Sequence, residues 1–401
     1  MLGWFVCVGG LGLFGMTWFF PLLAVLFSRS SSKREATVSE GVVRIDILIP
    51  AHNEESVIDS TLQSILDSVT EAGDLVSARV IVGADRCTDA TAEVSRRSGA
   101  SVVELGDVGD DRSSRNKGSK GKWNTLRALI LGSFGDAVRQ FGVERELAHE
   151  SGRRPDWIVL ADAGVIWPKG LIARLVPLFH NMDVLGVAPT YRNPGGGVTE
   201  RIVWGIERHF KSLENLAGGP VSIHGATVAY RAHELVTALD ELGNRGWLND
   251  DVVLPLTLRG LFPKGEIRYL PDVGVYDQPT LKEQEKGRRE FGRRRRMVLG
   301  NIQWVKRLYL KALWRNPLSG LPVSRRIFRM LWAYWVVCLG GAFVVLGSLV
   351  SVLVTILFLA IVAIGLAATR SGRSLCDAAV ASLLSPYLFL RSFFSEEAAW
   401  T

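Results

Sequence analysis

Cysteine is scarce in this chain, with four in 401 residues, at Cys7, Cys87, Cys338 and Cys376. They lie far apart and form no C-x-x-C pair, which argues against a disulfide framework and against a structural zinc site. No G-x-x-x-x-G-K-[ST] occurs, and no G-x-G-x-x-G follows the first strand-like run, so neither a P-loop nor a dinucleotide fingerprint is available. No internal repeat is visible. Charge of one sign is not in large excess either, with Lys+Arg 47 against Asp+Glu 40 and a net +7. A hydrophobic content of 48% with 22% charged residues is too apolar for a disordered chain. It implies a folded domain combined with membrane segments.

The most informative absence is local. Leu2 to Phe27 contains no charged side chain and is long enough to cross a bilayer as a helix. Its first basic residues, Arg29, Lys33 and Arg34, come after it, the reverse of a secretory signal. The segment, residues 1–28, therefore reads as an uncleaved anchor whose C-terminal end is cytosolic. Met330 to Thr369 is also free of charge, enough for two helices of about twenty residues each, turning near Gly347-Ser348. Arg325, Arg326 and Arg329 precede this pair and Arg370 and Arg373 follow it, as a hairpin returning to the cytosolic side requires. The expected organisation is a cytosolic domain over residues 42–290, a basic amphipathic segment over 291–326, a transmembrane hairpin over 328–369 and a C-terminal tail over 370–401. In the tail, Leu375 to Phe394 is interrupted by Asp377, Pro386 and Arg391 and reads as interfacial. The protein is expected to be a multi-pass integral protein of the inner (plasma) membrane.

Within the cytosolic domain, strand and helix patterns alternate. Arg44 to Pro50, Ala78 to Gly83, Ser101 to Leu105 and Trp157 to Leu160 read as buried strands, and Ile58, Leu62, Ile65, Leu66 and Val69 recur at helical spacing. Cys87-Thr88-Asp89 offers hydroxyl and carboxylate caps for a following helix, and Pro168 suits the first turn of another. The stretches 106–121 and 191–197 read as loops. Such alternation predicts an α/β fold with a mainly parallel sheet and ligands at the carboxyl ends of its strands. Polar residues gather at those ends.

Six motifs follow one another in order. They are Ile49-Pro50-Ala51-His52-Asn53-Glu54-Glu55, Asp85-Arg86-Cys87-Thr88-Asp89-Ala90-Thr91, Gly121-Lys122-Trp123-Asn124, Leu160-Ala161-Asp162-Ala163-Gly164, Asn249-Asp250-Asp251 and Arg293-Arg294-Arg295-Arg296-Met297. The series resembles the inverting family-two glycosyltransferases over roughly Val42 to Gln303. The resemblance implies a GT-A type, Rossmann-like mixed sheet flanked by helices, a nucleotide-diphosphate sugar donor with UDP favoured, and a divalent metal, Mg or Mn. It places Glu54 and Asp85 in nucleoside recognition, Lys122 beside the diphosphate or the base, Asp162 on the metal, and Asp251 as the general base with Asp250 before it. It also assigns Arg293 and Arg296 to the R-x-x-R-W element, Arg296 facing the leaving group.

Two departures stand out. The usual D-x-D is here Asp162-Ala163-Gly164, without the second carboxylate, although the segment also resembles the D-S-G stretch of ceramide glucosyltransferases. Met297 stands where the family has Trp. The physical demands are independent of family: inversion needs a base on the acceptor hydroxyl and charge neutralisation on the departing diphosphate. Asp250 beside Asp251 raises its proton affinity by like-charge proximity.

Lys286 to Arg296 holds seven basic residues with Glu290 the only acid. Without a nucleic-acid signature the run reads as a juxtamembrane strip for anionic headgroups, and no nucleic-acid partner is expected. Trp304, Leu308, Tyr309, Leu313 and Trp314, interleaved with Lys306, Arg307 and Lys311, suit a helix lying in the membrane interface. His224 and Trp247 read as structural. The expected partners are thus a nucleotide sugar, the bilayer and a lipid or lipid-linked acceptor. A processive polysaccharide synthase and a non-catalytic nucleotide-sugar-binding protein are the alternatives.

Overall fold

Val43–Ala51 forms β1, with Ile45, Ile47, Leu48 and Ile49 fully buried on both faces, as a strand inside a parallel sheet must be. The computed structural model describes residues 41–105, 121–134, 154–192, 198–278 and 286–334, shorter pieces at 336–338, 379–380 and 382–390, and the isolated positions 9, 12 and 15. Among the described residues no helix is long and apolar enough to cross a membrane. Nearly all of both charge-free segments, and the loops 106–120 and 193–197, lie outside those residues.

After β1 the elements are α1 (Glu55–Ala72), β2 (Val76–Asp85), α2 (Thr91–Arg97), β3 (Ser101–Leu105), α3 (Lys122–Ser133), β4 (Trp157–Ala161), β5 (Val165–Ile166), α4 (Leu171–Phe179), β6 (Val184–Arg192) and α5 (Val198–Asn215). There follow β7 (Thr227–Arg231), α6 (Ala232–Leu242), α7 (Asp250–Leu261), β8 (Glu266–Asp277), α8 (Lys286–Arg315) and α9 (Pro317–Met330). The chain divides into two compact units, one made of Ser31–Gly195 and Gly218–Leu281, the other of Met1–Ser30, Gly196–Ala217 and Lys282–Thr401.

The first unit holds a mixed sheet of order β3-β2-β1-β4-β7-β6-β8-β5. The strands β1 to β4 are mutually parallel, β7 runs antiparallel to both β4 and β6, β8 is parallel to β6, and β5 is antiparallel to β8. This is the expected α/β sheet with helices packed on it. The chain steps outward from β1 through β2 to β3 and then returns to the other side of β1 as β4. That reversal opens a crevice at the strands' carboxyl ends. Because β7 is antiparallel, the residues just before it arrive at the same edge.

Three local expectations are corrected. Pro168 precedes its helix rather than entering it: β5 intervenes, and α4 starts at Leu171 after Gly170 takes a left-handed turn (φ 66°). Thr88 does not cap α2, since its amide donates to Asn53 Oδ1, while Asp89 Oδ1 accepts from the Thr91 amide. Tyr191 and Arg192 end β6 rather than begin a loop.

An ion pair lies in the core of this unit. Asp46 on β1 lies opposite Arg79 on β2, and the guanidinium grips both carboxylate oxygens at 2.8 and 2.6 Å with Asp46 only 2% exposed.

In the second unit, Asn316 ends α8 and caps α9, its Oδ1 accepting from the Ser319 amide with Pro317 at the first helical position. The two helices approach closely at Gly320, where a Cβ would come 2.2 Å from Leu313 Cδ2. Trp304 is fully buried with Nε1 donating to Asn301 Oδ1, and the Tyr309 hydroxyl pairs with Ser324. The apolar face expected to lie in the membrane interface is therefore divided. Of its residues, Trp304, Tyr309 and Leu313 are engaged within the unit, Leu308 is half-buried and Trp314 (86% exposed) is left outside. A buried charge cluster joins α5 to α9: Arg325 stacks over Phe210 at 4.0 Å and pairs with Glu207 at 3.3 Å, and Arg329 also binds Glu207. Burial pushes the Glu207 carboxyl up, but Arg329, Arg325 and Lys211 outweigh it and hold the group well below the carboxylate range.

Two predictions follow from these pairs. Arg79→Ala strands a buried carboxylate and costs about 3–5 kcal/mol in denaturant unfolding, most of it recovered in the double variant Asp46→Val/Arg79→Val. Glu207 is depressed on folding, so its contribution is present above the unfolded value of about 4.3 and is lost as pH falls. Glu207→Gln should melt below the wild type at pH 7, and the gap should close in scans toward pH 3.

Candidate active site

The loops after β1 and β2 are tied to each other before any ligand is considered. Asn53 takes a left-handed conformation (φ 56°), which its short polar side chain tolerates, and its Oδ1 accepts from the Thr88 amide at 2.8 Å. The Glu54 amide donates to Thr91 Oγ1 at 2.8 Å, and the Glu54 carbonyl starts α1 by accepting from Val57 and Ile58. Asp89 Oδ2 accepts from the Glu55 amide and Glu55 Oε2 from the Ala90 amide, each at 3.2 Å. Glu54 thus stands at the end of β1 and Asp85 at the end of β2, where the sequence places them. Arg86 also has a left-handed backbone (φ 49°), at a cost of about 1–2 kcal/mol for a residue with a Cβ. Its guanidinium binds both oxygens of Asp85. His52 Nδ1 lies 2.6 Å from the Asp85 carbonyl, and because a carbonyl only accepts, this nitrogen carries the proton.

The Asp162 segment is held from beneath by α1. Thr61, Ser64 and Ser68 share one helix face, and their hydroxyl oxygens accept from the amides of Gly164 (2.9 Å), Trp167 (3.1 Å) and Ile172 (3.0 Å). Gly164 also accepts from the Gln278 amide at 2.8 Å, and its φ of +89° is one that side chains rarely adopt. The missing second carboxylate therefore has a backbone reason: glycine is what lets the chain turn here, and an aspartate would be strained.

Lys122, Asp162 and Asp250 meet. The Lys122 Nζ lies 2.8 Å from Asp162 Oδ1 and 3.1 Å from Asp250 Oδ2. The Asp162 amide donates to the Ala226 carbonyl at 2.9 Å, so the segment before β7 closes the same edge. At Gly225 a Cβ would lie 3.4 Å from Lys122 Nζ, 3.7 Å from Asp251 Cβ and 3.8 Å from Asp250 Oδ2. Asp250 and Asp251 open α7, and the Asp251 carbonyl accepts from the Ile223 amide at 2.9 Å. Farther along α7, the buried Arg259 donates to the Gly219 carbonyl. Gly219 cannot be replaced: a Cβ there would fall 1.7 Å from the Ile267 oxygen.

The electrostatics follow from this crowding. Burial pulls the Lys122 ammonium down, but Asp162 and Asp250 outweigh it and hold it well above its usual value, so it stays charged. Burial pushes the Asp162 carboxyl up; Lys122 pulls it down, and Asp250 and Asp277 push it further up. The Tyr230 phenol, fully buried and near Asp250 and Asp251, is raised for the same reasons. The Lys122 and Asp162 side chains keep 37% and 38% of their surface open. A ligand can reach them, and solvent screening keeps their pairing a small term in stability.

Of the residues singled out in the sequence, Lys122, Asp162, Asp250 and Asp251 come together, with Asp85 and Glu54 at neighbouring strand ends. Arg293 and Arg296 lie on α8 in the other unit, where Arg296 is exposed. Trp247 is core, 5% exposed, and His224 lies against Tyr191 with ring centroids 5.7 Å apart. Sequence reasoning missed the hydroxyl ladder of α1, although Thr61, Ser64 and Ser68 at helical spacing in an apolar face were a usable signal. It also missed the pairing of Arg86, for which no signal along the chain exists.

A divalent metal fits this site in one way. Among the described residues no three His, Cys, Asp or Glu side chains gather to hold one. Asp162 offers a hard carboxylate, half engaged by Lys122, which suits a cation shared with phosphate oxygens and water rather than a resident ion.

Thr61→Val keeps the shape of the side chain but leaves the Gly164 amide unsatisfied. It should cost about 1–3 kcal/mol in chemical denaturation and weaken metal-dependent nucleotide binding in calorimetry, whereas Thr61→Ser should preserve both.

Comparison with known proteins agrees with this architecture. Residues 44–297, more than half of the chain, match the family described as glycosyltransferase-like family 2. The 4,4'-diaponeurosporenoate glycosyltransferase of Staphylococcus aureus (strain bovine RF122 / ET3-1) is 36% identical over 89 residues, and that match spans 22% of each protein. A mannosyltransferase from Pyrobaculum calidifontis, solved with GDP-Man and Mn2+, superposes with a TM-score of 0.61 at 16% identity over 96% of this chain and 99% of that one. At that identity the likeness is one of fold. Sheet, strand-end motifs and family match converge on one conclusion: the chain belongs to the family-2-like glycosyltransferases.

Proposed function

We propose that the protein is an inverting glycosyltransferase that moves a sugar from a nucleotide-diphosphate donor, UDP-sugar favoured, to a lipid or lipid-linked acceptor at a membrane. The observation that carries this reading is the Lys122 ammonium, 2.8 Å from Asp162 and 3.1 Å from Asp250, beside Asp251 at the carboxyl edge of the sheet. Asp251 takes the proton of the acceptor hydroxyl. The acceptor oxygen then attacks the anomeric carbon opposite the diphosphate, and the electron pair of the breaking carbon–oxygen bond leaves on the diphosphate. Asp250 keeps Lys122 in place. Lys122 would neutralise charge on the departing diphosphate, a task the family resemblance also gives to Arg293 and Arg296. Asp162 would hold a Mg or Mn ion, which when bound supplies charge neutralisation on the phosphate oxygens. Glu54 and Asp85 serve the nucleoside. The P. calidifontis neighbour with its GDP-Man and Mn2+ supports a nucleotide-sugar donor and a divalent metal.

The membrane and the acceptor rest on other grounds. The charge-free stretches Leu2 to Phe27 and Met330 to Thr369, each with basic residues on its cytosolic flank, support a multi-pass protein with the catalytic domain in the cytosol. Ile202, Ile206, Leu310, Trp314, Tyr387 and Leu390 are exposed, all in the unit that carries those stretches. This supports a surface that meets lipid.

The full chain in detergent, supplied with UDP- and GDP-sugars, Mn2+ and a membrane lipid extract, should release nucleoside diphosphate and yield a lipid bearing one added sugar. Asp251→Asn should lower kcat by about 10²–10⁴-fold with the donor KM little changed. No turnover with any donor, or full activity in Asp251→Asn, would remove this reading.

A further inference from the structure

We propose that Arg192, with Tyr276 beside it, is a specificity-determining site for the acceptor: it holds an anionic group, phosphate or carboxylate, on the molecule whose hydroxyl meets Asp251. The inference names the acceptor class of the reading above and rests on that reading.

Arg192 ends β6 and Tyr276 is next to last in β8, and the two are partners in the parallel register. The pair before them, Tyr191 and Val275, packs into the core cluster on the face covered by α1. Successive side chains alternate, so Arg192 and Tyr276 point to the other face. That is the face of α3, which begins with Lys122: Gly83, between the core residues Val82 and Ala84, points at Thr125 and Leu129. The end of β6 also reaches the acidic edge through Tyr191, whose ring lies 5.7 Å from that of His224, the neighbour of Gly225.

The arginine is fixed rather than free in solvent. At Gly274 a Cβ would fall 2.6 Å from Arg192 Nε and 2.8 Å from its Cδ. The missing side chain leaves a trough across β8, and the arginine stem lies in it. Nε is sealed from solvent without a hydrogen-bond partner, and the guanidinium makes no ion pair, among the described residues. Tyr276 beside it is 36% exposed. A donor kept from water without a partner costs about 1–3 kcal/mol. An arginine that serves only solubility has no reason to bear that cost. A held guanidinium without a carboxylate, next to a phenol, is a site for an anion.

Position in the sheet says which anion. In the reading above, the donor occupies the half of the crevice at β1, β2 and β4, with its diphosphate on Lys122 and Asp162. In the sheet order β6 stands two strands beyond β4, about 10 Å away. The anion on Arg192 therefore belongs to the acceptor. Charge balance points the same way. Asp162, Asp250 and Asp251 repel an anionic acceptor, and Lys122 is already shared by two of them. A neutral acceptor needs no further cation at this edge, whereas one that bears phosphate or carboxylate does. The terminal nitrogens of Arg192 fork onto two oxygens of either group, and the Tyr276 hydroxyl supplies a third donor.

The test uses the full chain in detergent with Mn2+ and UDP- and GDP-sugars. A membrane lipid extract is split into neutral lipids, phosphorus-containing acidic lipids and phosphorus-free acidic lipids, and each is offered as acceptor. Sugar should enter an acidic fraction: the phosphorus-containing one identifies a phosphate, the phosphorus-free one a carboxylate. Arg192→Gln should raise the acceptor KM roughly 10–100-fold, the scale of a charge-assisted hydrogen bond, with the donor KM and the melting temperature unchanged. Arg192→Lys should recover part of that loss, and Tyr276→Phe should raise the acceptor KM only about threefold. Gly274→Ala fills the trough and should raise the acceptor KM although the charge is kept. Sugar entering neutral lipids alone overturns the inference, and this arm needs no variant to fold. An acceptor KM unmoved in Arg192→Gln, with a lower melting temperature, assigns Arg192 to the fold and overturns it as well. If no fraction is glycosylated with any donor, the glycosyltransferase reading itself fails.

Discussion

Lys122 bridges Asp162, which follows β4, and Asp250, which opens α7, so that two acidic segments far apart in sequence share one ammonium. Without a resident cation these carboxylates could not approach in a partly buried site, because each disfavours the ionised form of the other. The geometry of the acidic edge depends on that shared charge. It also explains why no preformed metal cage is needed. The lysine balances the acids in the structure as it stands.

The support beneath this edge is made of backbone bonds rather than apolar contact alone. The hydroxyls of Thr61, Ser64 and Ser68 accept amides from the Asp162 segment, and Gly164 closes its turn with a conformation closed to other residues. On the opposite side, Asp251 and Arg259 of α7 fasten the loop between Gly218 and Gly225. Irregular backbone at a strand end exposes amides that a helix or sheet would otherwise satisfy. The amides of Asp162, Gly164, Trp167, Ile172 and Ile223 each have a side-chain or main-chain acceptor, which is how a loop can hold functional side chains at fixed positions.

The second unit obeys a different rule. There Glu207 is buried with Arg325 and also binds Arg329, while Arg296 and the large apolar side chains of Leu310 and Trp314 are exposed.

Much of the fold was legible along the chain. Apolar runs broken by Pro50, Asp85 and Asp162 marked β1, β2 and β4 to within a residue or two, since burial on both faces of a parallel strand leaves a continuous apolar signature. The ordered motifs at the strand ends brought Lys122, Asp162, Asp250 and Asp251 into consideration, because such chemistry needs those side-chain types whatever the packing. Other features were not legible. Trp304 and Tyr309 of α8 are engaged within their unit while Trp314 is exposed, and periodicity describes a face without saying what covers it. The pairing of Asp85 with Arg86 depends on the sign of one φ angle, and the reason for Gly164 lies in a helix a hundred residues away. Sequence pattern determined which groups are present and which elements carry them; the direction in which those groups point was decided by tertiary structure, because orientation at a strand end is set by hydrogen bonds to segments that local sequence does not contain.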